Sequence, residues 1–198
     1  FVRFFGCNLS CGFCDTPLAT FKEYTVAALR EEIAEFSGYQ ALSLTGGEPL
    51  LQADFLKGFL EELRGMNAKI YLETNGTLPV ELGKILDLVD VIAVDFKLPS
   101  FGGQDCWQEH EEFLKRAKGK DVFVKIPVAK SATSAEIKKA ADILSRIGAN
   151  IPVVLQPNWF ELDSALLEKI ESFKKDLNLY GLTDVRILPQ MHKLVGIK

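Results

Sequence analysis

The pattern that most constrains this fold is an alternation of short apolar runs with longer stretches of helical periodicity. Six runs rich in β-branched and aromatic residues are each followed by a segment whose apolar residues recur every three or four positions. This alternation predicts parallel strands joined by helical crossovers. The predicted strands cover 1–5, 41–44, 69–72, 91–94, 121–126 and 152–155, with a last short strand at 185–188, and the predicted helices cover 25–36, 53–64, 79–88, 107–118, 134–147 and 163–177.

Chain length limits the architecture that these units can build. A closed eight-fold barrel takes about 250 residues, whereas this chain has 198. We therefore expect one domain over residues 1–198, an α/β partial, splayed (β/α)6 barrel with parallel strands, and a doubly wound open sheet is the alternative. Thr25, Ser134 and Asp163 are the expected caps at the starts of three helices. Because the sequence opens within the first predicted strand, we expect an N-terminal segment to precede Phe1.

Composition indicates a globular protein and argues against contacts with nucleic acid or a membrane. Hydrophobic residues make up 47 %, charged residues 25 %, and the net charge is −4, which argues against disorder and against a basic nucleic-acid-binding face. No apolar run reaches the roughly 20 residues of a membrane helix, and no signal peptide is evident. We expect a cytoplasmic protein that contacts neither membrane nor nucleic acid.

Three of the four cysteines lie within one short segment. Cys7, Cys11 and Cys14 are spaced C-x3-C-x2-C, and a second cysteine pair that would complete a four-ligand zinc site is missing from the sequence. Three thiolates suit an iron–sulfur cluster with one iron left open for a further ligand. Zinc or a structural thiol cluster is the alternative. Cys106 stands apart and is interpreted as an incidental thiol.

Polar and glycine-rich residues follow each predicted strand. In parallel α/β folds, functional sites gather at the carboxyl ends of the strands, so these segments are expected to share one cavity. Glycines allow the backbone to approach a ligand closely, and we expect the N–H and C=O groups of the turn at 46–47 to bind an ammonium or a carboxylate. The segments are the cysteine loop at 6–15, TGGEP at 45–49, ETNG at 73–76, DFKLPS at 95–100, Lys125, Gln156 and PQMHK at 189–193.

The cysteine spacing and the GGEP segment at 46–49 together resemble the radical S-adenosylmethionine (SAM) superfamily. The resemblance implies that Cys7, Cys11 and Cys14 hold a 4Fe–4S cluster whose open iron chelates SAM. It also implies that Gly46, Gly47 and Glu48 bind the SAM amine. Reductive cleavage of SAM then yields a 5′-deoxyadenosyl radical that abstracts hydrogen from the substrate.

Further motifs narrow the resemblance to the family of 7-carboxy-7-deazaguanine synthases. They are RFFGCNL at 3–9, CDT at 14–16, ETNGT at 73–77, DFKLPS at 95–100 and RILPQMHK at 186–193. This family converts 6-carboxy-5,6,7,8-tetrahydropterin to 7-carboxy-7-deazaguanine, a precursor of queuosine and other 7-deazapurines, with release of ammonia and regeneration of SAM. The resemblance implies Mg²⁺ as a further cofactor, an external one-electron reductant and a homodimer.

The same resemblance assigns roles to individual residues. Thr16 matches a Mg²⁺-binding threonine, and a hard cation prefers such oxygen ligands. Substrate-binding positions are matched by three residues, and cofactor-binding positions by four others. The substrate set is Arg3, Gln190 and His192, and the cofactor set is Asn75, Lys97, Ser100 and Gln156, with Lys125 a weaker candidate.

Two other functions fit part of the sequence. An activating enzyme for a glycyl-radical enzyme would share the cluster spacing and the barrel, but the CDT and PQMHK segments argue against it. A non-catalytic iron–sulfur carrier would require a fourth cysteine ligand and no SAM loop, so GGEP argues against that function.

Overall fold

The computed structural model describes residues 1–14, 20–65, 67–148 and 150–196, without the side chain of residue 192. Within these residues, seven parallel strands form one sheet in the order β1-β2-β3-β4-β5-β6-β7. Each strand pairs with its successor in the chain, whereas a doubly wound sheet requires a reversal of strand order. The partial-barrel prediction is therefore confirmed, and the doubly wound alternative is wrong. The strands are β1 (Val2–Phe4), β2 (Ala41–Gly46), β3 (Lys69–Thr74), β4 (Val91–Asp95), β5 (Asp121–Val128), β6 (Val153–Pro157) and β7 (Val185–Ile187).

The helices form one layer that follows the strand order. Successive long helices contact one another along the chain, from the first through to the seventh, and a short eighth helix follows the last strand. They are α1 (Val26–Ala34), α2 (Ala53–Glu62), α3 (Pro79–Ile85), α4 (Pro99–Gly102), α5 (Trp107–Arg116), α6 (Ser134–Ile147), α7 (Ser164–Leu179) and α8 (Met191–Leu194), with 3-10 turns at Pro49–Gln52, Leu86–Leu88 and Trp159–Glu161.

Capping side chains fix where three of these helices begin. The Thr25 and Asp163 side chains accept hydrogen bonds from backbone N–H groups at the starts of α1 and α7, as expected. The cap of α6 is Thr133 rather than the predicted Ser134. Thr133 and Glu136 form a reciprocal capping box, which moves the boundary by one residue because the glutamate must stand three positions after the cap.

The two faces of the sheet carry opposite chemistry. Residues directly paired between parallel strands lie on the same face, and faces alternate along each strand. The helix-facing side is apolar and buried; Phe4, for example, packs edge-on against Phe55 of α2. The opposite, concave face carries Ser43, Tyr71, Glu73, Asp95, Phe123 and Lys125. The hydrophobic core therefore lies between sheet and helices, which leaves the concave face for polar side chains.

None of the helices in the described ranges is both long and apolar enough to span a bilayer.

Candidate functional site

The cysteine loop lies directly after β1, at the carboxyl edge of the sheet. Cys7 and Cys11 are half-buried and Cys14 is exposed, and none of the three forms a disulfide. The backbone N–H of Leu9 points at Cys7 Sγ at 3.4 Å, and the N–H of Cys14 donates to the Cys11 carbonyl at 3.2 Å. The loop thus holds three reduced thiols on one short, turned segment.

Asn75 connects this loop to the end of β3. Its Nδ2 donates to Asn8 Oδ1 at 2.9 Å and lies 3.8 Å from Cys7 Sγ. Its Oδ1 accepts from the N–H and the hydroxyl of Thr77 at 3.0 and 2.6 Å, and the Thr77 hydroxyl accepts from Asn8 Nδ2 at 2.8 Å. The three side chains form a closed network, so the predicted cofactor-binding residue Asn75 first serves to position the cysteine loop.

Glu48 lies beneath the site rather than on its surface. Its side chain is fully buried; Oε1 accepts from the Leu50 N–H at 3.0 Å and from the Thr74 hydroxyl at 2.8 Å, and Oε2 accepts from the Asn75 N–H at 2.7 Å. Burial raises the pKa of Glu48 to about 7, partly offset by these donors. The carboxylate therefore joins the ends of β2 and β3, and its predicted contact with a ligand amine stays a prediction.

The two glycines before Glu48 are required by the backbone of β1. A Cβ at Gly46 would collide with the Phe4 carbonyl, and a Cβ at Gly47 with the Gly6 carbonyl. The N–H of Gly47 donates to Phe4 O at 3.0 Å and that of Glu48 to Gly6 O at 2.8 Å. The expectation that N–H groups of the turn at 46–47 bind a carboxylate is therefore wrong for Gly47, because the Phe4 carbonyl of β1 already accepts from its N–H. The turn can offer carbonyl oxygens, which suit an amine.

Four charged side chains form a continuous array on the concave face. Lys125 Nζ lies 3.1 Å from both Glu73 Oε2 and Asp95 Oδ1, and Lys97 Nζ lies 3.0 Å from Asp95 Oδ2. Ser43 donates to the other Glu73 oxygen at 3.2 Å. Burial alone would raise the pKa of Asp95, but Lys125 and Lys97 hold it at about 2. Burial would likewise lower the pKa values of both lysines, yet the neighbouring carboxylates raise them. Asp95, Lys97 and Lys125 therefore carry charge at neutral pH.

Aromatic rings connect this array to the cysteine loop. The ammonium of Lys97 lies over the Phe101 ring, 5.6 Å from its centroid, and the Phe101 ring packs on Phe13 at 5.4 Å. Phe13 stands between Cys11 and Cys14 in the sequence. Burial raises the pKa of the Cys11 thiol, and the charge of Lys97 opposes this shift. Lys97 is thus an electrostatic neighbour of the cysteine loop.

His110 supports the loop after β3, which carries Asn75. It is fully buried in α5, its ring stacks on Phe96 at 4.2 Å, and its Nε2 lies 3.0 Å from the Asn75 carbonyl. Burial lowers the pKa of His110 to about 4. The imidazole is therefore neutral at physiological pH and donates from Nε2 to that carbonyl.

The remaining predicted residues lie on or just after three different strands, β1, β4 and β6. Arg3 is exposed in β1 on the concave face, with its guanidinium 5.3 Å from the centroid of the Phe1 ring. Ser100 is the second residue of α4, and its N–H donates to Glu136 Oε1 at 2.7 Å. Gln156 is half-buried near the end of β6, opposite Pro127 of β5.

Three further predictions lie at or beyond the limits of the described residues. Gln190 is half-buried and caps α8, which also contains residue 192. The side chain of His192 and the whole of Thr16 lie outside the described residues. Their predicted roles stay predictions.

Sequence reasoning missed the partners that organise this rim. Asn8 and Thr77 were noted only as parts of the motifs at 3–9 and 73–77, and Glu73 and Asp95 only as parts of strand-end segments, while His110 was given no role in the site. Their spacing in the sequence gives no sign of contact, because the pairs form between strands. The alternating polar residues of β3 to β5 were the available signal.

The donor set fits an iron–sulfur cluster better than a single ion. Among the described residues, no group of three His, Cys, Asp or Glu side chains converges as ligands of one metal ion. A 4Fe–4S cluster places its thiolates on different irons, so they need not converge on a point. N–H groups directed at the ligand sulfur, as Leu9 and Asn75 provide for Cys7, are a usual feature of such clusters.

Comparisons with known proteins agree with this chemistry. Residues 1–144 match the radical SAM superfamily. The 7-carboxy-7-deazaguanine synthase of Geobacter sulfurreducens is 34 % identical over 222 residues, covering 99 % of this chain and 88 % of its own. That of Methanopyrus kandleri is 34 % identical over 224 residues, covering 98 % and 84 %. The structure of Streptococcus suis SuiB bound to S-adenosylmethionine shares the fold, with a TM-score of 0.64 at 14 % identity over 93 % of this chain and 45 % of that one.

Proposed function

Because the chain belongs to the radical SAM superfamily and, within it, to the 7-carboxy-7-deazaguanine synthases, we propose that it converts 6-carboxy-5,6,7,8-tetrahydropterin to 7-carboxy-7-deazaguanine. One observation supports the proposal beyond the family match. Three reduced thiols with C-x3-C-x2-C spacing lie at the carboxyl end of β1. Asn75 connects their loop to the end of β3, which pairs with the strand that ends in the Gly46–Gly47 turn. When bound, the 4Fe–4S cluster and SAM supply the radical that abstracts hydrogen from the substrate.

The residues of the chain provide binding, orientation and exclusion of water, as is usual where a cofactor carries the chemistry. Cys7, Cys11 and Cys14 hold the cluster as thiolates, and the N–H of Leu9 stabilises the sulfur of Cys7. The carbonyl oxygens of the turn at 46–48 accept from the SAM amine. Lys97, Ser100 and Gln156 contact the SAM carboxylate, ribose or adenine.

The pterin lies against residues from both edges of the sheet. Arg3 presents a planar fork that suits the substrate carboxylate or the pterin edge, and Gln190 and His192 close over the ring. Thr16 would hold Mg²⁺ through its hydroxyl, since a hard cation prefers oxygen ligands. We also propose that the protein receives electrons from an external one-electron reductant, forms a homodimer and is located in the cytoplasm.

Anaerobic turnover of the cluster-reconstituted protein with SAM, dithionite, Mg²⁺ and 6-carboxy-tetrahydropterin tests this function. Mass spectrometry should detect 7-carboxy-7-deazaguanine without net loss of SAM. Cleavage of SAM to 5′-deoxyadenosine with the pterin unchanged would contradict the substrate and leave the superfamily intact.

Arg3→Gln sharpens the same assay. We expect it to raise KM for the pterin at least tenfold, because a bidentate charged contact is lost, and to leave KM for SAM unchanged. Arg146→Gln on the outer helix α6 is the control, since the ion pairs of Arg146 with described residues are to Asp142 and Glu111 on the helical layer. Equal effects of the two variants would contradict the role of Arg3.

A further inference from the structure

We infer that the charged array on the concave face sets the reduction potential of the cluster held by the cysteine loop, with Lys97 raising the potential and Asp95 lowering it. The inference rests on the proposed function, because it requires a cluster on the three cysteines. It adds an electrostatic role to four side chains that the three-cysteine motif does not include. These side chains are Glu73, Asp95, Lys97 and Lys125.

The geometry of the array fixes each charge in place. Lys125 is held between two carboxylates at 3.1 Å each, and Asp95 is held between two ammonium groups at 3.1 and 3.0 Å. The signs alternate from Glu73 on β3, through Lys125 and Asp95, to Lys97 after β4. Lys97 is thus the terminal member of the row, and its position depends on the three charges before it.

Lys97 is also the member of the array that approaches the cysteines. Its ammonium lies over Phe101, and Phe101 packs on Phe13 of the cysteine loop. Asp95 carries the opposite charge and lies 3.0 Å from the Lys97 ammonium, so the two groups act on the cysteine loop with opposite signs. A positive charge near the loop will stabilise the added negative charge of a reduced cluster.

The environment makes these charges effective and constant. The side chains of Lys97 and Lys125 are only 15 % and 18 % exposed, so solvent screens them less than surface charges. The pKa of Asp95 is about 2 and those of both lysines are raised, so these three groups keep their charge near neutral pH. The three charges are therefore a source of fixed field rather than a route for protons.

Stability alone is a poor explanation for the array. Removing charges from water is costly, and a buried ion pair often contributes no more stability than apolar residues of the same volume. The apolar core already lies on the other face of the same strands. A row of charges whose terminal member, Lys97, is connected to the cysteine loop through Phe101 is therefore better explained by its effect on the site.

The test is an anaerobic potentiometric titration of the reconstituted full chain, followed by electron paramagnetic resonance and performed without SAM. Omitting SAM ensures that a contact between Lys97 and SAM cannot produce the result. Lys97→Met should disfavour reduction at least tenfold, which corresponds to about 59 mV for one electron. Asp95→Asn should shift the potential in the opposite direction, and the double variant should lie closer to wild type than either single variant.

Lys97→Arg keeps the charge and is the matched control, with a potential near that of wild type. Lys97→Gln replaces the methionine variant if the latter does not fold, as judged by circular dichroism and iron content. An unchanged potential, or shifts of the same sign for Lys97→Met and Asp95→Asn, would overturn the inference while the cluster assignment stands. A wild-type protein that binds no cluster would instead overturn the proposed function, and this inference with it.

Discussion

The two faces of the sheet are built from alternate residues of the same strands, yet they perform different tasks. On the helix-facing side, the central strands present fully buried side chains such as Leu72, Ile92 and Val124. On the concave side, the adjacent residues include Glu73 and Lys125, which are charged and partly exposed. Because successive side chains of a strand point to opposite faces, alternate residues of one strand serve either the packed core or the site. Substitutions on the two faces should affect different measurements.

The largest expected effect concerns the cysteine loop above the sheet. Cys7→Ser should abolish iron–sulfur absorbance and turnover, because a serine hydroxyl does not replace the thiolate. The free energy of unfolding of the cluster-free protein should change by no more than about 0.5 kcal/mol, since the residue lies outside the core. Cys106→Ala is the matched control and should retain the cluster. Loss of the cluster in this variant would contradict the assignment of Cys106 as a non-ligand.

On the helix-facing side, Leu72→Ala should lower the free energy of unfolding by about 2–5 kcal/mol, because it leaves a cavity in a closely packed core. Urea unfolding of the cluster-free protein measures this loss. The KM values for SAM and pterin should change little in the fraction that stays folded. A large rise in KM with little loss of stability would contradict the separation of the two faces.

His110 connects the core with the site and should make stability depend on pH. Its pKa is lowered in the folded protein, from 6.5 to about 4, so the unfolded chain takes up a proton first as pH falls. The contribution of His110 to stability is therefore fully present above pH 6.5 and is lost towards pH 4, by about 3 kcal/mol, since one pKa unit corresponds to about 1.4 kcal/mol. Glu48, whose pKa is raised to about 7, contributes a slope of opposite sign between pH 4.5 and 7, so the His110 contribution is read from the difference between wild type and a His110 variant.

His110→Gln should remove the His110 contribution, because glutamine does not titrate but can still donate to the Asn75 carbonyl, so the stability of wild type relative to the variant should rise between pH 4 and 6.5. Urea unfolding at several pH values between 4 and 7.5 measures the difference. An unchanged slope in the variant would show that another group is responsible.

The smallest expected effect lies on the concave face. Ser43→Ala removes one hydrogen bond to Glu73 and should lower the free energy of unfolding by about 1 kcal/mol or less. Lys125 still pairs with Glu73, so the carboxylate keeps a partner. The same urea titration as for Leu72→Ala makes the two values directly comparable, and a loss as large as that of the leucine variant would break the contrast between the faces.

Much of the fold could be predicted from local patterns. Every predicted strand and every predicted helix is present. The reason is that side chains alternate between the two faces of a strand, whereas a helix on the sheet buries one face, and each arrangement gives its own apolar period. Boundaries were less certain; the stretch predicted as one helix over 79–88 is α3 followed by the 3-10 turn Leu86–Leu88. The short α4 and α8 were not predicted, since four residues are too few to show a period.

The candidate site was predicted in location but only partly in detail. Strand-end positions identified the loops, because parallel strands bring their carboxyl ends together. They did not show that the side chains of Asn75 and Glu48 form hydrogen bonds with neighbouring loops. That outcome depends on strand register and on the depth at which each side chain is buried. Neither quantity can be obtained from the spacing of a motif.

The position of Asn75 directly after β3 has a consequence for insertions and deletions. Deleting one residue within β3 would move Asn75 by about 3.3 Å relative to Cys7 and would exchange the faces of the residues on one side of the deletion. A charge would then enter the core, and the cysteine loop would lose its anchor in the same event. Changes of length should therefore be tolerated in the connections at the opposite, amino edge of the sheet, such as the segment between α2 and β3, and excluded from the strand itself.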